Sequence, residues 1–111
     1  MARTPQEKRD YLIKEYPKFW ENFQGMRTAA REAGPLDVKT QELINTAVYA
    51  SAGTEAGTKT HATRAYEAGA TPAELRQAIL LCLGLGMGFS HTYEAMNWVR
   101  EALEAAGAKE V

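Results

Sequence analysis

Asp37-Val38-Lys39-Thr40-Gln41-Glu42-Leu43-Ile44-Asn45-Thr46-Ala47-Val48-Tyr49-Ala50-Ser51-Ala52 is the stretch that decides the fold class. Aspartate is a preferred helix cap, because its carboxylate accepts from the free N–H groups of the first turn. Behind Asp37, the side chains Leu43, Ile44, Ala47 and Val48 recur at helical spacing and form an apolar stripe. The segment therefore predicts a helix over 38–52. Gly53 to Gly57 predicts a loop. A further helix over about 58–68 is expected to end at Gly69, since glycine favours the position just past a helix.

The flanks continue in the same manner. Thr71-Pro72-Ala73-Glu74 has the form of a capping box with proline at the first helical position, and Thr4-Pro5-Gln6-Glu7 has it too. The helix opened at Thr71 is apolar nearly all round from Ala78 to Leu83, which predicts a central, buried element. Gly84-Leu85-Gly86-Met87-Gly88 interrupts it. The last helix starts near Ser90, with Ala95, Trp98, Val99, Ala102 and Leu103 on one side. Residues 107–111 are expected to fray.

Upstream, a first helix carries Tyr11, Leu12 and Tyr16. Pro17 restarts the chain, and Phe19, Phe23, Met26 and Ala30 share one face of a second helix that stops at Gly34-Pro35. Strand signals are nearly absent. The expected fold is all-α: a compact bundle of about six helices, forming a single domain over 1–111.

Composition narrows the function classes. The 111 residues are 45% hydrophobic and 24% charged, with 13 basic and 14 acidic side chains and a net charge of −1. No basic excess is available to neutralise a phosphate backbone, so nucleic acid is not an expected partner. The opening residues are too polar for a signal peptide. The apolar run from Ala78 to Phe89 is too short for a membrane span. Cys82 is the one cysteine and has no intrachain partner, which fits a reducing, cytoplasmic setting. Alanine-rich stripes with Trp20 and Trp98 suggest that part of the surface is buried against a second copy of the chain.

Three side chains are candidates for chemistry: Glu42, His61 and His91. Neutral imidazole accepts or gives a proton near pH 7. On residue type alone, Glu42 also fits a solvated helix carboxylate, and His61 a histidine with no role. His91 can cap the last helix, line a pocket or sit in solvent. Gly84-x-Gly86-x-Gly88 follows a helix rather than a strand, so it is a helix break and not a dinucleotide fingerprint. No pair of ligands at metal-binding spacing lies on one helix, so no metal is expected.

Two segments point to a family. Leu36-Asp37-Val38-Lys39-Thr40-Gln41-Glu42-Leu43-Ile44 resembles the "LDPKTKELI" run of the carboxymuconolactone decarboxylase family. His61-Ala62-Thr63-Arg64-Ala65-Tyr66-Glu67-Ala68-Gly69-Ala70-Thr71 resembles its "HTRAALKAGAT" segment. Pro72-Ala73-Glu74-Leu75 and Ile79-Leu80-Leu81 follow its pattern. The resemblance covers about residues 15–105.

That family has two branches. In the alkyl hydroperoxidase D-like branch, a glutamate lies twelve residues before a Cys-x-x-Cys pair whose first cysteine is seven residues before a histidine. Here Glu42, Thr54 and His61 keep that spacing, but Thr54 and Gly57 stand in the two cysteine slots. Dithiol peroxide reduction needs an attacking thiolate and a resolving thiol. Cys82 lies 25 residues past the second slot. That activity is therefore not expected.

The other branch resembles gamma-carboxymuconolactone decarboxylase. The resemblance implies a cofactor-independent lyase acting on a small carboxylated, lactone-type substrate, with a homo-oligomeric assembly, trimeric or hexameric. His61 would then be the proton donor and Glu42 its partner, with Arg64, Thr54 and His91 in the substrate-binding set. A non-catalytic oligomeric binding or scaffold protein of the same fold is the alternative. One geometric obstacle exists. A hairpin centred on Glu55 sets residue 42 opposite residue 68, and the seven-residue offset from 61 is roughly 10 Å. Contact then needs a steep helix crossing, a shifted loop, a bridging water or a second subunit.

Overall fold

The computed structural model describes residues 3–111. Their regular structure consists of α1 (Pro5–Glu15), α2 (Pro17–Glu32), α3 (Val38–Ser51), α4 (Glu55–Glu67), α5 (Pro72–Leu80) and α6 (Phe89–Ala105). No strand occurs among the described residues. A single bridge joins Leu83 to Met87 in the loop before α6. The all-α class is thus as expected.

The caps are those the sequence announces. Thr4 Oγ1 accepts from the Glu7 N–H at 3.1 Å, and Glu7 Oε1 accepts from the Thr4 N–H at 3.3 Å. The box at Thr71 closes the same way with Glu74, at 3.1 and 2.9 Å. Asp37 Oδ1 accepts from the Thr40 N–H at 2.7 Å. Each cap satisfies donors that a helix start otherwise leaves unpaired.

The chain divides into two compact units, one ending at Pro35 and one running from Leu36 to Val111. In the first, neither α1 nor α2 buries a residue. Trp20 stacks on Phe23 with ring centroids 5.6 Å apart, while Phe19 and Met26 are exposed. In the second, α4 packs against α3 and α6, and α5 against α3 and α6. The core here contains Ala50, Ala62, Ala65, Leu75, Ile79, Ala95, Val99 and Leu103. Alanines on α3, α4 and α6 leave little side-chain bulk between helices, so backbones come close enough for short polar side chains to meet.

Three expectations need correction. Helix α4 begins at Glu55, so Gly57 is helical and not part of a loop. Only Gly53 in this region has a positive φ, of 77°, and it makes the turn at no steric cost. Helix α5 ends at Leu80 and is not buried all round: Ile79 is fully buried, but Leu80 and Leu81 are exposed. The C-terminus is tied down and not frayed. Arg76 donates to the Val111 carbonyl oxygen at 2.8 Å, and Val111 packs on the core.

Candidate functional site

The α3–α4 turn sets the site. Helix α3 ends at Ser51 and α4 starts at Glu55, so the hairpin is centred near residue 53 and not at Glu55. Residue 42 then faces residue 64, and His61 is only three residues away, about 4.5 Å at 1.5 Å per residue. A glutamate side chain spans that distance. The obstacle raised by the sequence disappears because the helix starts earlier than Gly57 suggests.

Glu42 and His61 meet within one chain. Glu42 Oε2 lies 2.7 Å from His61 Nδ1, with the two side chains only 7% and 12% exposed. A carboxylate that is ionised can only accept, so Nδ1 carries the proton in this pair. That leaves Nε2 as a lone pair in the neutral ring and as the second N–H in the imidazolium. No hydrogen bond from any described residue occupies Nε2. The other oxygen of Glu42, Oε1, accepts from Asn45 Nδ2 at 3.1 Å. Thr46 Oγ1 donates to the Glu42 carbonyl at 2.7 Å, inside the core. Tyr49 completes the group: its ring stacks on His61 with centroids 5.0 Å apart and planes 16° from parallel.

Asn45 and Tyr49 were not among the sequence-derived candidates, yet a signal for them exists. Glu42, Asn45, Thr46 and Tyr49 fall at i, i+3, i+4 and i+7. They form a second, mostly polar stripe on α3 beside the apolar one.

The other expected site residues are not gathered at the dyad. Thr54 is the N-cap of α4, exposed, with no side-chain cap bond. Its carbonyl accepts from Thr58 Oγ1 at 2.7 Å. Arg64 is exposed, one turn beyond His61 on α4, and has no ion pair. His91, in the first turn of α6, is half-buried. Its Nε2 is buried without a hydrogen-bond partner and lies 4.0 Å from the point where a Cβ on Gly53 would sit. Helix α4 is fastened to α6 by Lys59, which donates to Glu55 and bridges to Glu101, both at 2.7 Å. Hydrogen bonds to Glu101 and then Glu55 hold the Lys59 ammonium above the usual lysine range.

A separate groove of about 620 Å³ lies between α3 and α5, lined by Leu43, Ile44, Ala47, Val48, Leu81, Cys82 and Leu85 among others. His61 is not part of its lining. Cys82, expected in the core, is half-buried here, with Sγ 3.5 Å from the Ala78 carbonyl oxygen. Among the described residues, no group of three or more His, Cys, Asp or Glu side chains is arranged to hold a metal ion. Among the described residues, no helix is long and apolar enough to cross a membrane.

The family model for the carboxymuconolactone decarboxylase family matches residues 15–107. The chain belongs to that family. No curated protein and no solved structure gives a match. The family register described above now has a structural meaning. The first cysteine slot of the redox branch falls on the α4 N-cap, where N–H dipoles would stabilise a thiolate. In this member of the carboxymuconolactone decarboxylase family that position holds Thr54.

Proposed function

We propose that this carboxymuconolactone decarboxylase family protein is a cofactor-independent lyase acting on a small carboxylated, lactone-type substrate, with His61 as the proton donor. The observation that carries the proposal is the buried 2.7 Å contact between Glu42 and His61 Nδ1. The carboxylate fixes the ring so that one defined nitrogen, Nε2, faces the reaction. In the imidazolium, Nε2–H is the acid.

The chemistry needs no external electron sink. When the substrate carboxylate leaves as carbon dioxide, the electron pair of the broken C–C bond moves into the conjugated lactone carbonyl. The resulting dienolate takes a proton at carbon from Nε2–H, and the neutral imidazole is recharged from solvent. Positioned proton transfer of this kind contributes about 10²–10⁴-fold to rate. Glu42 accepts from Nδ1–H and orients the ring. Asn45 holds the carboxylate, and Arg64 is the nearby cation for a second substrate carboxylate. Dithiol peroxidase chemistry is not proposed, since Thr54 and Gly57 supply no thiol.

The test is a decarboxylation assay on carboxylated muconolactone with the parent, His61→Ala and Glu42→Gln. Loss of about 10²-fold or more in kcat for His61→Ala supports the assignment. Equal rates in all three proteins end it.

A second reading has its own support. The apolar groove between α3 and α5 does not have His61 in its lining, as suits a binding or scaffold protein that has no catalytic role. Exposed Ile44, Val48, Leu81 and Leu85 also support assembly as a homo-oligomer. Sedimentation showing a strict monomer would remove that assembly.

A further inference from the structure

The second cysteine slot, Gly57, is not merely vacant of sulfur. A Cβ built on Gly57 clashes with the Tyr49 ring, 2.6 Å from Cγ and 2.7 Å from Cε1, with Cδ1 nearer still. Cγ is the root of the ring and not its flexible end. A side chain at 57 could be accommodated only by turning the whole ring about χ1. The same ring is the one stacked on His61. Gly57 and His61 are four residues apart on α4, and Tyr49 lies seven residues after Glu42 on α3, so all four share one interhelical seam.

We propose that Tyr49 is a positioning residue for His61, and that its ring takes the volume a second thiol would need, so that the stacked ring and a side chain at residue 57 are mutually exclusive. Two contacts then define the imidazole. Glu42 holds Nδ1 in the ring plane, and Tyr49 fixes that plane from one face. A hydrogen bond alone leaves the ring free to swing off Oε2 and to flip about χ2, which presents the other nitrogen to the carboxylate. The stack removes that freedom and aims Nε2. Glycine at 57 is the condition for this arrangement, because it lets Tyr49 lie flat against α4. The inference builds on His61 as the working group, but its test needs no substrate, so it can fail while the lyase assignment stands, and the reverse.

The experiment has two arms. The first reads the imidazole nitrogens by ¹⁵N NMR in the neutral ring of the parent, Tyr49→Phe and Tyr49→Leu. Phenylalanine keeps the ring and loses only the hydroxyl. The expected result is one Nδ1–H form of His61 in the parent and in Tyr49→Phe, and a mixture containing the Nε2–H form in Tyr49→Leu. An unchanged single form in Tyr49→Leu would show that Glu42 alone positions the ring, and would overturn the proposal. The second arm measures Tm for Gly57→Ala in the parent and in a Tyr49→Ala background. Glycine to alanine in a helix ordinarily stabilises, by restricting the unfolded chain. Here it is expected to lower Tm in the parent and to raise it once the ring is gone. A rise in both backgrounds would overturn the exclusion.

Discussion

Helix α3 has two faces with opposite character, and their fates invert the usual rule. Glu42, Thr46 and Ala50 are buried against the rest of the second unit. Ile44 and Val48, on the apolar stripe, are 47% and 60% exposed. Hydrophobic patterning alone would turn the helix the other way. What permits the inversion is satisfaction of the polar groups. Glu42 is paired at both carboxylate oxygens, and Thr46 returns its hydroxyl to the helix backbone. A buried polar group is costly only when it lacks a partner. Leu43 of the same stripe still packs on the core, which the alanines of α4 and α6 form together with Leu75, Ile79 and Leu103.

The largest effect is expected where packing is tightest. Ile79→Ala should cost about 2–5 kcal/mol in denaturant unfolding, because the side chain is fully buried and its loss leaves a cavity. A cost near zero would mean that the packed side of the molecule is looser than drawn. Thr46→Val keeps the shape and deletes the hydroxyl. It should cost about 1 kcal/mol, the net worth of one hydrogen bond, with the far-UV spectrum unchanged. Val48→Ser, on the opposite face, should shift the stability of the isolated chain by no more than about 0.5 kcal/mol. A penalty of core size there would break the contrast between the faces, and would indicate that the stripe is covered.

The smallest effect concerns the start of α3. The hydrogen bonds from Thr40 hold the Asp37 carboxyl below its ordinary value of 3.8. A depressed native value means stability that is present above the unfolded value and lost as pH falls through the native one. Asp37→Asn, which still caps, should therefore flatten the acid limb of a Tm-against-pH profile below pH 4 relative to the parent. A profile identical to the parent would show that the cap carries no linkage.

Much of this was legible in the sequence. Both capping boxes and the Asp37 cap are local chemistry, and local chemistry survives into the fold. The Glu42–His61 register came from a spacing shared with the family. What was not legible has one physical source. Gly53 and Gly57 look alike in a sequence, yet Gly53 turns the chain while Gly57 makes room for an aromatic ring. A loop that ran to Gly57 would centre the hairpin two residues further along and separate Glu42 from His61; with α4 starting at Glu55 the two meet. In α5, too, composition does not give depth. Leu80 and Leu81 are apolar, but a helix that ends at Leu80 can offer only one side to the core. Arg64 and Thr54 are exposed, because helix spacing predicts which side a residue lies on and not how deep the neighbouring helix covers it.

The central claim is that Glu42 and His61 act as one unit. A double-mutant cycle in kcat/KM for decarboxylation of carboxylated muconolactone tests it most directly, using Glu42→Gln, His61→Ala and the two combined. Groups that act together are strongly non-additive. The account predicts that the double variant is no slower than His61→Ala alone, with Glu42→Gln intermediate. Losses that multiply would contradict the unit, and undiminished rates in all three would contradict catalysis at this pair.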